Sequence, residues 1–132
     1  MADVENPFLL LTRITVQEDV VNDYLAIEKE ADKAVEATER GVLFHNFDRD
    51  LDDPDKFAWT EVYLKSKVLL FHADNPPVQA YLSKHNELAK HFFIEIYGNV
   101  SEAVIEKIKS LEIPLKHLAT TSVGYVRSER FS

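Results

Sequence analysis

The sequence predicts an α+β fold: a ferredoxin-like antiparallel sheet with helices on one face, extended at its C-terminus by a further helix and strand. Three observations carry that prediction. The expected elements run β-α-β-β-α-β, the ferredoxin-like order. The chain has 132 residues, enough for one domain to bury a core unaided. Its 45% hydrophobic and 29% charged content is that of an ordinary globular protein. One domain over 1–132 is therefore expected, with a core at 8–100 and the extension at 101–132.

Each element has a local reason. Residues 8–16, FLLLTRITV, are β-branched and apolar and read as a strand. Glu18 and Asp19 suit the first turn of a helix over 18–39. Its apolar stripe is Val20, Tyr24, Ile27, Ala31, Ala34 and Thr38, and Gly41 suits the stop. Residues 41–50 and 56–64 form a hairpin about the LDDPD turn. Ser66 can cap a short helix, 67–74, which Pro76 and Pro77 must break. The next helix carries Val78, Tyr81, Leu82, Leu88 and Ala89, with His85 on the same stripe. Residues 92–100 read as a fourth strand. Ser101 caps a helix that Pro114 ends, and 117–127 is expected to be a fifth strand.

A lone sheet of this kind should leave one face polar. Here Leu9 and Leu11 oppose Leu10 and Ile14, while Ala58, Val62 and Leu64 oppose Phe57, Trp59 and Tyr63. Both faces are apolar, so a second copy in a two-fold homodimer is the expected cover. A net charge of −8 argues against nucleic acid and against anionic lipid. The chain contains no cysteine, which removes disulfides, thiol nucleophiles and thiolate metal sites. The acidic start lacks the form of a signal peptide, and no run approaches the length of a membrane span. A cytoplasmic location follows as the default expectation.

The run TEVYLKSKVLLFHADNPPVQAYL, with the preceding GVLFHNFDRDLDDPDKF, resembles the antibiotic-biosynthesis-monooxygenase (ABM) domain family over roughly residues 8–90. Members of that family have a strand ending Glu-x-Tyr, a short helix carrying His, and a Pro-containing kink into the next helix. The resemblance implies a dimeric α/β barrel with a cavity between sheet and helices. It also implies cofactor-independent oxygenation of phenols, anthrones or quinols, haem degradation, or isomerisation of a phosphorylated signal. The spelling Glu61-x-Tyr63 with Phe71-His72 is nearest to the isomerases. Haem-degrading members place Asn on the first strand and Trp at the end of the third. Thr12 and Leu64 stand there in this chain, which disfavours haem degradation.

Within this frame His72, Tyr63 and Glu61 are the candidate catalytic residues. His72 shares a helical face with Val68 and can exchange a proton near neutral pH. Tyr63 can donate to a developing oxyanion. Glu61, between Trp59 and Tyr63 on one strand face, is a possible base; it is equally a structural partner for a cation or hydroxyl at the dimer seam. Trp59, His45 and His85 are candidate substrate contacts, against the plainer reading of each as core. The five histidines show no HxH or HExxH spacing, so no metal is expected. The three glycines form no phosphate loop, so no nucleotide cofactor is expected either. The leading expectation is a cofactor-free, homodimeric monooxygenase acting on a small phenol, quinol or enol. An isomerase of a hydroxy-ketone signal and a non-catalytic ligand-binding or structural module are the alternatives.

Overall fold

A computed structural model describes residues 7–127. Residues 1–6, read above as unlike a signal peptide, and 128–132, the end of the predicted extension, lie outside the described residues. The strands are β1 (Phe8–Val16), β2 (Val42–Arg49), β3 (Lys56–Tyr63), β4 (Ala89–Tyr97) and β5 (Leu115–Leu118). The helices are α1 (Val21–Thr38), α2 (Ser66–Asp74), α3 (Pro76–Leu88) and α4 (Glu102–Ser110). The sheet order is β2-β3-β1-β4-β5, and its first four strands are the ferredoxin-like sheet the sequence predicts.

Several details differ from expectation. The sheet is mixed, because β5 joins β4 in parallel. A strand reached through a crossover helix returns in the same direction, and α4 is such a crossover. The predicted strand 117–127 is only Leu115–Leu118. Gly98, at φ 116°, ends β4 after Tyr97. The Gly98 N–H donates to the Leu118 carbonyl at 2.9 Å, which closes the short ladder. Residues 119–127 are exposed and outside the sheet. Ser66 starts α2 rather than capping it, and Ser101 sits at the head of α4 without a capping bond from its side chain. The Ser101 N–H instead donates to Ser66 Oγ at 3.0 Å, tying the two helix starts together. The proline pair ends one helix by opening the next, since Pro76 and Pro77 occupy the first turn of α3.

The stripe of α1 is rotated from the one expected. Its buried residues are Val21, Tyr24, Glu28, Ala31 and Val35, and the capping Glu39 is buried too. Two glutamates therefore lie on the inward face. Gly41 has no left-handed backbone; it is needed for space, since a Cβ there would stand 2.5 Å from Val68 Cγ2.

The core divides in two. Phe8, Leu10, Tyr63, Leu69, Ile96, Val104 and Ile108 pack at one end, where α2 and α4 cover the sheet. Ile14, Val16, Val21, Tyr24, Phe57 and Trp59 pack at the other. The opposite sheet face, with Leu9, Leu11, Val62 and Phe93, is only half-buried, and Phe44 is 45% exposed. Among the described residues no helix is long and apolar enough to cross a membrane.

Candidate functional site

The candidate site lies where the two core clusters meet. Strand period puts Trp59, Glu61 and Tyr63 on the helix-covered face of β3. Register sets His45 of β2 directly opposite Glu61, and Leu10 of β1 opposite it on the other side. From the helical layer α2 brings in His72. His45, Glu61, Tyr63 and His72 line one cavity of about 80 Å³, which Trp59, Thr12 and Tyr81 also line. Ile108, Leu111 and Ile113 close its end, so the extension's helix forms part of the cavity wall.

Glu61 is the hub. The Tyr63 hydroxyl, on a side chain with no exposure, donates to Glu61 Oε1. His72 Nε2 stands 4.0 Å from the same oxygen, and His45 Nε2 3.7 Å from Oε2. Behind each imidazole stands a second carboxylate. His72 Nδ1 donates to Glu39 Oε1 at 2.8 Å, and His45 Nδ1 to Asp32 Oδ1 at 2.7 Å. The Glu39 side chain has no exposure. Its other oxygen accepts from Asn75 Nδ2 at 2.8 Å. A carboxylate at a helix C-terminus opposes the helix dipole, and these two donors offset that cost. Burial works against the His72 cation. The Glu39 hydrogen bond and the charges of Glu61 and Glu39 outweigh it and hold the imidazolium above its usual range. Burial, then the Glu61 charge and hydrogen bond, push the Tyr63 phenol well up, so it keeps its proton.

His85 does not join this group. It is buried, with Nδ1 2.6 Å from the Tyr24 hydroxyl, which is itself 2.8 Å from that of Tyr81. Burial lowers the His85 pKa to about 4, so the neutral ring accepts from Tyr24. Glu28 is 2% exposed, and neither of its oxygens has a hydrogen-bond partner among the described residues. Burial pushes its carboxyl up to about 8.

Five of the six residues singled out from sequence thus meet at one cavity, and His85 stands apart. Glu39, Asp32 and Asn75 were not anticipated. The one signal for Glu39 is a carboxylate at a helix end whose dipole disfavours it.

This arrangement sits in a known architecture. A candidate antibiotic biosynthesis monooxygenase from Bacteroides thetaiotaomicron superposes with TM-score 0.65 at 21% identity, covering 68% of this chain and 86% of that one. A second, from Caulobacter crescentus, gives 0.67 at 17% identity, covering 71% and 90%. A third, from Nitrosomonas europaea, gives 0.67 at 14% identity, covering 74% and 93%. The chain has their fold. No protein-family model and no curated protein matches its sequence. At these identities the ABM-like architecture is what is shared.

Proposed function

We propose that the chain is a small acid–base enzyme of the monooxygenase-like class. It removes a proton from a compact enol or phenol and holds the anion for reaction with dioxygen. The observation that carries this reading is His72, its Nδ1 fixed by a buried carboxylate and its Nε2 turned toward Glu61 at the cavity wall. Glu39 plays the part an aspartate plays behind a catalytic histidine: it orients the ring and stabilises the imidazolium. His72 therefore serves as base in its neutral form, which its raised pKa makes dominant only toward alkaline pH. Tyr63 is the donor when the substrate oxygen replaces Glu61 as its acceptor. The enolate carbon gives two electrons to dioxygen, forming a C–O bond. The hydroperoxide that follows protonation loses water to leave a carbonyl.

Cavity size narrows the substrate. About 80 Å³ is well below the roughly 300 Å³ at which ligand pockets begin, so a tricyclic anthrone requires α2 and α4 to move apart. Among the described residues no Arg or Lys lines the cavity, so none of them supports a phosphorylated substrate. Arg13 pairs with Glu95 at 3.3 Å, and Arg49 donates to the Pro54 carbonyl at 2.7 Å. An isomerase of an uncharged hydroxy-ketone would use the same acid–base groups without dioxygen. The internal pairing of these groups is what favours a non-catalytic module instead. The cofactor-free character and the cytoplasmic setting belong to the proposal. A second copy on the half-buried sheet face belongs to it as well, supported by Leu9, Leu11, Val62 and Phe93.

Oxygen uptake with small enols, hydroxy-ketones, phenols and quinols tests the reading, repeated without oxygen to detect isomerisation. Uptake that His72→Ala abolishes is expected. Turnover unchanged in His72→Ala overturns the assignment, and no turnover of any compound leaves the non-catalytic module in its place.

A further inference from the structure

His45, Glu61 and His72 come from three different elements, yet their inner atoms face one another. One ligand-type atom from each lies within 4.8 Å of the others. The outer nitrogen of each ring is already committed, to Asp32 at 2.7 Å and to Glu39 at 2.8 Å. Each ring is anchored through Nδ1, which leaves Nε2 as the atom that faces Glu61, across gaps of 3.7 and 4.0 Å. An ion binding there displaces the Nε2 proton that the carboxylates favour on His72. No Lys or Arg among the described residues lines the cavity beside that gap. A carboxylate behind each ligating imidazole is the arrangement that fixes the tautomer and raises ligand basicity at metal sites. Glu61 is oriented too, since Tyr63 donates to one of its oxygens.

We infer that His45, Glu61 and His72 form a site for a divalent ion of the first transition row, with open coordination positions facing the cavity. Two nitrogens and an oxygen suit zinc or ferrous iron. Magnesium and calcium prefer all-oxygen sets, and cuprous ion prefers thiolates. Donors at about 2.0–2.1 Å from zinc stand roughly 3.3 Å apart in a tetrahedron. The observed gaps are wider, so the ion draws the two rings and the carboxylate together by small side-chain rotations. His45 and Glu61 start from paired positions on rigid strands, and only His72 rides on a helix. The cavity of about 80 Å³ leaves space for water or a small oxygen ligand beyond the ion.

Metal binding competes with the acid–base reading for His72 Nε2 and does not rest on it, and its test uses no substrate. The full chain, stripped with a chelator, is titrated with Zn²⁺ by calorimetry and with Co²⁺ by visible absorption. One ion per chain is expected, with Co²⁺ bands of a nitrogen–oxygen site of low coordination number. His45→Ala and His72→Ala should each weaken binding by roughly a hundredfold or more. Glu39→Gln, which keeps all three ligands, should weaken it by roughly ten- to a hundredfold. His91→Ala, at an exposed position on β4, should change nothing. X-ray absorption of the wild-type zinc complex needs no variant and should count two imidazoles. The inference is overturned by no stoichiometric binding, by binding unchanged in the two histidine variants, or by fewer than two imidazoles at the zinc. Metal binding without turnover, or turnover without metal binding, separates this inference from the enzyme reading.

Discussion

Glu28→Gln isolates the cost of one buried carboxyl. Glu28 is 2% exposed without a hydrogen-bond partner among the described residues, and burial raises its pKa from 4.5 to about 8. Between those values the unfolded chain has released the proton and the folded chain has kept it. Stability is therefore fullest below pH 4.5, falls as pH rises to about 8, and is flat beyond. The gap of about 3.5 pH units is worth about 5 kcal/mol in full, and about 3 kcal/mol by pH 7, at 1.36 kcal/mol per unit. Those are large fractions of the roughly 5–15 kcal/mol that holds a domain folded.

His85 acts in the opposite sense. Its folded pKa is depressed from 6.5 to about 4, so stability present above pH 6.5 is lost as pH falls through that interval. The two slopes oppose each other below about pH 6.5, and the Glu28 slope is exposed only between about 6.5 and 8. His72, with its raised pKa, adds a decline of the same sign in that region, but it is common to both proteins. Urea unfolding at pH 5, 7 and 9 should show Glu28→Gln close to wild type at pH 5. At pH 7 the variant should be more stable by about 3 kcal/mol, and at pH 9 by more. Curves that decline in parallel would show that Glu28 ionises normally and that its burial costs nothing.

Gly41→Ala should destabilise by about 1–3 kcal/mol in denaturant unfolding, because its Cβ meets Val68 at 2.5 Å. Val68→Ala in the same chain should recover part of the loss. Glu39→Gln should lower kcat on an identified substrate by roughly a hundredfold or more with little change in KM. An equal loss of substrate affinity would place Glu39 in binding instead. Leu11→Glu, on the half-buried sheet face, should convert a dimer to monomer by light scattering while leaving the circular dichroism unchanged. A monomeric wild type would remove the partner from the proposal.

The sequence makes the β-α-β-β-α-β core legible because strands β1 and β3 and helix α4 obey simple periodicities. It also places Glu61 beside Tyr63, since period two needs no partner to be read. What periodicity hides is the inward face of α1. Counting apolar residues selects Val20, Ile27 and Ala34, whereas the buried stripe runs through Val21, Glu28 and Val35. A charged residue is scored as outward-facing, so Glu28 and Glu39 vanish from the pattern at the positions where they matter. His45 meets Glu61 through strand register, and register is a property of two segments together. That is why no HxH or HExxH spacing announces a cluster whose three members lie on β2, β3 and α2. The parallel β5 is a different case: it follows from the helix before it, and strand propensity alone overestimated its length.

Three buried glutamates in one small core need an explanation beyond folding. Replacing buried charge with apolar side chains of similar volume is often neutral or stabilising, and a core shaped for stability alone has no use for Glu28, Glu39 and Glu61. Two of them are well supplied with donors: Glu39 by His72 and Asn75, Glu61 by Tyr63. Glu28 has none among the described residues. Glu39 and Asp32 each hold one imidazole through Nδ1, so that both rings aim Nε2 at Glu61 across the same few ångströms of space. Packing requires no such aim. Proton transfer and metal binding both do, and they ask different things of the atom at Nε2: one needs it free to take a proton, the other needs its lone pair committed. Occupancy of that gap by zinc therefore decides which chemistry the cavity performs.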